Sequence, residues 1–411
     1  MSLASPAASE RPDDAVATKA DERRAIGVAT GAHALHDGYT DLIYVMLPVW
    51  QAEFGIGYAA LGLLRTCYSG TMAGLQIPAA LLAERLGVAL VLACGTALAG
   101  VGYLVAGAST GFWTLVVALV LGGIGSSAQH PLGSALVARA FAGARSMKAL
   151  GTYNFAGDIG KMSIPAAVSL GLAIMPWQPT LALFGALGIA VAVAIYLLAP
   201  RFAASTPAPQ GKRPPAEVPA AARRPAGGHG FPLLLAIGMI DSATRMGFLV
   251  FLPFVLMGKG ASLPTVGLAL TLVFAGGAAG KLVCAFIGAR IGVIATVCLT
   301  EALTAVGILL LLPLPLEAGL VVLPVIGVML NGTSSVLYGS VPELVEVAKR
   351  ARAFGIFYTG TIGAGAAAPA VYGLVGDVVG VVATLALICG ICLLALPLAL
   401  VLRPMLPASA R

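Results

Sequence analysis

The sequence predicts an all-α membrane protein: twelve transmembrane helices in two pseudo-symmetric six-helix bundles, with both termini cytoplasmic. Three observations carry that expectation. First, the 411 residues are 59% hydrophobic and 10% charged, with a mean hydropathy of +0.97, whereas a soluble domain is about 25% charged. The bilayer must therefore be the solvent for most of the chain. Second, twelve apolar stretches reach or approach the roughly 20 residues that a helical span needs. Third, the loops between them alternate in charge. Nineteen of the 24 Lys and Arg fall in the odd set of loops and the termini, Lys259 alone falls in the even set, and Arg65, Lys161, Arg245 and Lys281 lie inside spans. Lys/Arg excess marks cytoplasmic loops, so the topology follows.

Taken in order, residues 1–24 mix Pro, Asp, Glu and Arg without an apolar core. They read as a disordered cytoplasmic tail and not as a signal peptide. Spans follow at 25–50, 58–83, 88–108, 112–138, 149–174 and 179–199, an N-terminal bundle over 25–199. Residues 200–231, rich in Pro, Ala, Lys and Arg, have the composition of a flexible cytoplasmic linker. The second bundle, 232–402, holds spans at 232–258, 263–288, 293–312, 317–342, 351–375 and 380–402, before a short cytoplasmic tail at 403–411. The halves repeat one another. Leu82-Ala83-Glu84-Arg85-Leu86-Gly87-Val88 closes the second span as Ile287-Gly288-Ala289-Arg290-Ile291-Gly292-Val293 closes the eighth, and Gly151 to Pro165 aligns with Gly355 to Pro369. Parallel halves of this kind are a repeat plan of secondary transporters, with the substrate held near the midplane between them.

Several function classes fall away. The net charge of +7 comes from short basic loops without interleaved aromatics, which suits anionic lipid headgroups and not nucleic acid. No Gly-x-x-x-x-Gly-Lys-Ser/Thr run provides for ATP. The four His (His33, His36, His130, His229) supply no metal-ligand spacing. Cys389 and Cys392 have redox spacing but sit among Leu and Ile, as small packing residues. No Ser/His pairing marks a hydrolase. The expectation is no enzyme, no metal and no cofactor.

Glu84-Arg85-Leu86-Gly87 occupies the place of a loop motif between spans two and three, with Glu where that motif has Asp and no basic pair after the Gly. With the duplicated six-span halves, it makes the chain similar to the twelve-helix major facilitator superfamily over residues 25–402. His33 to Asp37 continuing to Pro48, Gly125-Ser126-Ser127 with His130-Pro131, and the Gly-rich fifth span around Gly157 and Gly160 further resemble the fosmidomycin-resistance-like exporters. The resemblance implies a gating part for Glu84 and Arg85. It also brings spans five and eight together across the halves.

Ionisable groups at mid-bilayer cost roughly 2.5–3.5 kcal/mol or more each, so they are functional candidates facing an interior cavity. Asp37 and Asp41, four apart, share a face of span one. So close in a low dielectric they resist ionising together, and one is expected to exchange a proton near neutrality. Asp37 also falls where the exporters carry an Asp. Asp158 and Lys161 are three apart on span five, and their repeat counterparts are Ile362 and Gly365. They form either a self-neutralised pair or a site, and the exporter pattern is uncharged here. Asp241 and Arg245 repeat the geometry on span seven, as gate or binding pair. Lys281, amid Gly276, Gly277 and Gly280, has no acid within a helical turn and needs an anion from another helix or from the substrate. With spans five and eight in contact, Asp158 is the expected partner, leaving Lys161 for the ligand. Arg65 either snorkels outward or gates. His130 either relays protons or fills a structural role. Glu301 lies on a span that the resemblance places at the periphery. Tyr39, Asn154, Asn331 and Tyr358 are further candidates for a substrate pocket.

The expected function is a proton-coupled secondary transporter of the bacterial inner membrane, working as a monomer on a small anionic or zwitterionic organic solute. Asp37, Asp41, Asp158 and His130 would carry protons, and Lys161, Arg245 and Lys281 would hold the solute. Resemblance to exporters implies efflux by antiport. Uptake of a carboxylate or phosphonate by symport, or anion exchange, stays open on the residues, and a transporter-shaped receptor is the remote alternative.

Overall fold

The computed structural model describes residues 18–141, 143–200, 229–346 and 349–406. Residues 1–17 of the expected disordered tail (1–24), 201–228 of the expected linker (200–231) and 407–411 of the expected last tail (403–411) lie outside the described residues, whereas Lys19 to Arg24 and Gly230 to Phe231 are helical against that expectation. Among the described residues there is no strand.

Helix α1 (Lys19–Phe54) starts well before the span expected at residue 25 because Thr18 caps it. The Asp21 N–H donates to Thr18 Oγ1 at 3.2 Å while the Asp21 carboxylate accepts from the Thr18 N–H at 3.2 Å, a reciprocal capping box. The second span is two helices, α2 (Tyr58–Gly74) and α3 (Gln76–Leu86). The fourth is likewise α5 (Phe112–Ser126) and α6 (Gln129–Ala140), flanking α4 (Val88–Gly107). Both breaks have one cause. Pro78 and Pro131 have no N–H for the carbonyls of Gly74 and Ser127, four residues back. Helices α7 (Gly143–Ile174) and α8 (Trp177–Leu198) complete the first half.

The second half comprises α9 (Gly230–Gly258), α10 (Leu263–Ile291), α11 (Val293–Leu311), α12 (Leu316–Leu344), α13 (Arg350–Leu393) and α14 (Ala395–Leu402). Within α13 the helix is broken at Gly380 by φ 79°, so α13 supplies the eleventh span and, with α14, the twelfth. Gly87 and Gly292, at repeat-related turns, hold φ of 88° and 85°, a region that residues with a Cβ rarely enter. Eight helical stretches are long and apolar enough to cross a membrane, one of them the 54-residue Arg352–Met405 that covers two spans. The remaining spans, α1, α2 with α3, and α7, are those loaded with Asp, Lys, Arg and His.

Small residues bring the helices together. A Cβ on Gly160 of α7 would stand 1.9 Å from the Ala34 carbonyl of α1, and one on Gly276 of α10 would stand 2.0 Å from the Pro324 carbonyl of α12. Between the halves, α2 packs on α13 and α7 on α10, two pairings that exchange under the repeat. Gly62 approaches the Pro369 carbonyl and Gly373 that of Tyr58. Asp377 accepts hydrogen bonds from the Tyr58 and Ala59 N–H groups at 2.5 and 3.0 Å, capping α2 from the other half. Across the second seam, Thr271 Oγ1 donates to the Met162 carbonyl at 2.9 Å. The Gly62, Gly373, Asp377 and Thr271 contacts between the halves lie toward the charge-poor end, which the basic loops place outside. Lys259, the lone base there, donates to the Leu312 and Leu314 carbonyls at 2.7 and 2.6 Å, just past the C-terminus of α11, where a cation is favourable.

The outer seam sets the state of the molecule. Gly62→Leu overpacks it, and overpacking costs about 1–3 kcal/mol. That is a shift of about 5- to 150-fold toward parted halves. The measurement is labelling from outside of a cysteine placed at Thr66, in a background lacking the native cysteines. Faster labelling is expected, and an unchanged rate contradicts the seam.

Candidate functional site

Below the seam the halves diverge around a cavity of about 680 Å³ lined from both. It runs from Arg65 and Leu249, under the seam, to Gln76, Ser134, Tyr338 and Phe357 toward the basic end. The protein is thus closed outside and open inside.

Asp37 lies at its centre because α7 offers glycine where it passes α1. A Cβ on Gly157 would meet Asp37 Oδ2 at 2.6 Å and His33 Cε1 at 2.8 Å. The carboxylate faces three basic side chains. Lys161 Nζ is 3.3 Å from Oδ2, and His33 Nε2 and His130 Nε2 are 3.4 and 3.7 Å from Oδ1. His33 Nδ1 is 2.8 Å from the Tyr153 carbonyl. A carbonyl only accepts, so the proton sits on Nδ1, and the ring is held stacked on Tyr153 with Nε2 aimed at Asp37.

Asp41, one turn further, faces Arg65 at 4.0 Å. Arg65 is 2% exposed, bonds Ser69 and lies 4.9 Å over the Tyr44 ring. It therefore points inward and does not snorkel. The expected acid–acid pairing of Asp37 with Asp41 gives way to separate counter-charges from other helices. Of the two alternatives for Asp158 and Lys161, the self-neutralised pair is not formed. Lys161 serves Asp37, while Lys281 Nζ crosses from α10 to bond both Asp158 oxygens at 2.6 and 2.8 Å. That inter-half bridge is the one the sequence analysis anticipated. Asp241 and Arg245 stand 3.8 Å apart on α9.

Four acids (Asp37, Asp41, Asp158, Asp241) and four bases (Arg65, Lys161, Arg245, Lys281) line the cavity. Its fixed charge sums to zero with the histidines neutral. Such a cavity does not concentrate anions by net field; a solute must take a base away from its acid. Asn154, Asn331 and Tyr358 line it as expected, with Tyr358 edge-on to Tyr338. Tyr39 does not. It is wholly buried, donates to the Phe184 carbonyl and packs on Tyr103, so it belongs to the core of the first half. Glu84 and Arg85 are exposed at the basic end of α3, and among the described residues neither makes an ion pair. Neither of them ties the halves there among the described residues.

The ligand atoms of His33, Asp37 and His130 lie within 4.8 Å of one another, a set that helical spacing did not predict because α6 supplies one member. Lys161 already neutralises Asp37 from 3.3 Å, so a divalent ion would have to displace an ammonium; the set fits a proton better. Two groups have roles that the sequence did not assign, Glu301 and His33. Glu301 is 2% exposed, facing inward on α11, and Cys392 Sγ donates to its Oε2 at 3.0 Å. His33 was legible, since it sits one helical turn before Asp37.

The Major Facilitator Superfamily profile matches residues 30–239 and again 234–411, one copy on each half. No curated protein matches the sequence. Among solved structures, the chain is similar to a bacterial homologue of the human lysosomal transporter Spinster in an inward-facing, occupied conformation. The two share 14% identity with a TM-score of 0.77, over 96% of this chain and 99% of that one. The same homologue in its unoccupied form gives a TM-score of 0.76 at 14% identity, over 96% and 99%. A point mutant of the nucleoside transporter NupG gives 0.74 at 15% identity, over 93% and 99%. These likenesses concern the fold.

The Asp158–Lys281 bridge is testable by a double-mutant cycle. Partly exposed pairs fall between the surface and buried limits, so a coupling of about 1–3 kcal/mol is expected. Thermal unfolding of Asp158→Asn, Lys281→Gln and the double variant should show the double losing less than the two singles combined. Additive losses contradict the bridge.

Proposed function

The chain belongs to the major facilitator superfamily, and on that premise we propose that it is a proton-coupled transporter of small anionic or zwitterionic organic solutes. It works by alternating access, as a monomer in a bacterial cytoplasmic membrane. The observation that carries this reading is Lys161 held by Asp37 in the central cavity, 3.3 Å apart. A solute carboxylate or phosphonate that enters takes the ammonium. Asp37 then loses its counter-charge in a place where an uncompensated ion is costly, and it takes a proton from cavity water beside His33 and His130. Solute anion and proton thus bind together and leave together.

That linkage supports cotransport. In antiport, proton and solute compete for one group, which suits a cation at Asp37 and not an anion at Lys161. With protons driving inward, the direction is uptake. The resemblance of His33 to Asp37 and of His130-Pro131 to resistance exporters favours a second reading, efflux by antiport. Asp41 with Arg65, and Asp241 with Arg245, are equivalent pairs in which a second polar group of the solute can replace the acid. The alternation itself needs the Gly62–Pro369 and Asp377–Tyr58 contacts to part while the basic end closes, where Glu84 and Arg85 are placed to act. Solute flux in proteoliposomes separates any of this from a receptor that does not transport.

Two variants test the scheme. Asp37→Asn should abolish solute accumulation driven by a pH gradient in proteoliposomes while exchange of internal for external solute persists. Driven accumulation at the wild-type rate removes Asp37 from the proton role. Lys161→Gln removes a charge-assisted hydrogen bond worth about 1.5–3 kcal/mol, so anion binding should weaken about 10- to 150-fold, and a neutral analogue should lose far less. Equal losses assign Lys161 to structure alone.

A further inference from the structure

The second half carries a feature that neither the ion pairs nor the proton scheme uses. Near the basic end of the cavity, Tyr338 of α12 and Phe357 and Tyr358 of α13 line its wall. Their rings form one packed unit. Tyr338 stacks on Phe354 with ring centroids 5.5 Å apart, and it meets Phe357 edge-on at 5.5 Å and Tyr358 edge-on at 4.6 Å. Phe357 is 2% exposed and anchors the unit in the core of the second half. Tyr358, at 51%, is not covered. Its ring stands open on the cavity, with Tyr338 behind it to fix its orientation. The repeat makes this wall one-sided, because Asn154 occupies the place of Tyr358 in the first half and also lines the cavity. An apolar side chain on the outer face of a span is solvated by lipid. A ring open to cavity water has no such solvent, so covering it is favourable. Edge-to-face and offset stacking make another aromatic ring the best cover.

We infer that this wall is a ring-binding subsite, and that the solute is an aromatic acid whose ring is held off its carboxylate by a short chain. The inference rests on the anion reading of Lys161 and names the part of the solute that Lys161 does not touch. The short chain follows from depth. Asn154 precedes Lys161 by about two turns of α7, roughly 10 Å along the helix axis. Halves related about the membrane normal put repeat-related positions at one depth, so Tyr358 lies that far from the level of Lys161, toward the basic end. A solute that engages both must therefore carry its charge and its ring at separate ends. The first half then selects the charge and the second half selects the ring. Neither half alone holds the whole molecule, so a correct solute is also one that bridges the two bodies that must move together.

Isothermal titration calorimetry on the purified full-length protein supplies the test, with phenylpropanoate as the probe. Cyclohexylpropanoate, of like size and charge but without an aromatic face, is the comparison. The wild type should bind phenylpropanoate more tightly. Tyr358→Leu keeps an apolar side chain at an exposed position and should weaken phenylpropanoate about 2- to 12-fold, the worth of one aromatic pair, while cyclohexylpropanoate changes little. Tyr358→Phe keeps the ring and should bind as the wild type does. Equal wild-type affinities for the two acids overturn the subsite, and so does a Tyr358→Leu variant that weakens both acids alike or neither. Uncharged phenylpropanamide separates this result from the reading of Lys161. Its affinity should fall in Tyr358→Leu and hold in Lys161→Gln. Phenylpropanamide binding as tightly as phenylpropanoate removes the anion from Lys161, whereas the ring subsite stands or falls by the Tyr358 variants.

Discussion

The cost of an unpaired ion at mid-bilayer organises this protein. Every fixed charge in the cavity has an opposite charge within about salt-bridge reach, and most of the pairs cross between helices. Asp37 takes Lys161 from α7, Asp41 takes Arg65 from α2, and Asp158 takes Lys281 from the other half. The pairs are long in several cases, 3.3 to 4.0 Å, so they neutralise without locking. A carboxylate that neutralises a base loosely is one that a solute can replace.

Helix α7 is the hub of this arrangement. Its Gly157 and Gly160 bring α1 close enough for Lys161 to reach Asp37, while Asp158, on another face, reaches across to α10. The repeat-related segment of α13 has neither these charges nor these two glycines, with Thr361, Ile362, Ala364 and Gly365 in those places. The duplication therefore supplies a symmetrical frame and an asymmetric interior.

Much of this was legible in the residues. Hydropathy and loop charge gave the spans, and the internal repeat gave the two halves. An unpartnered lysine amid glycines demanded an acid from elsewhere, and Asp158 is that acid. Other inferences failed for physical reasons. Spacing put Asp37 and Asp41 on one face of α1 but carried no information on Lys161 and Arg65, which separate them electrostatically. Tyr39 was indistinguishable from a pocket residue, because a buried tyrosine that satisfies its hydroxyl on a carbonyl has the same local sequence signal as one facing water. Glu301 was discounted because its span is peripheral, yet a peripheral helix still has an inward face. The breaks at Leu75 and after Ser126 were missed, the spans 58–83 and 112–138 being read as continuous, although Pro78 and Pro131 stand four residues beyond the carbonyls that they leave without a donor.

The cap that Asp377 places on α2 carries an energetic consequence. Two main-chain amides at the start of α2 are satisfied by a carboxylate of the other half. Parting the halves at this seam strips all three polar groups of their partners at once, and each must then be solvated. The contact thus charges the opening of the outer end with a cost set by one helix terminus, far from the ionised side chains of the cavity.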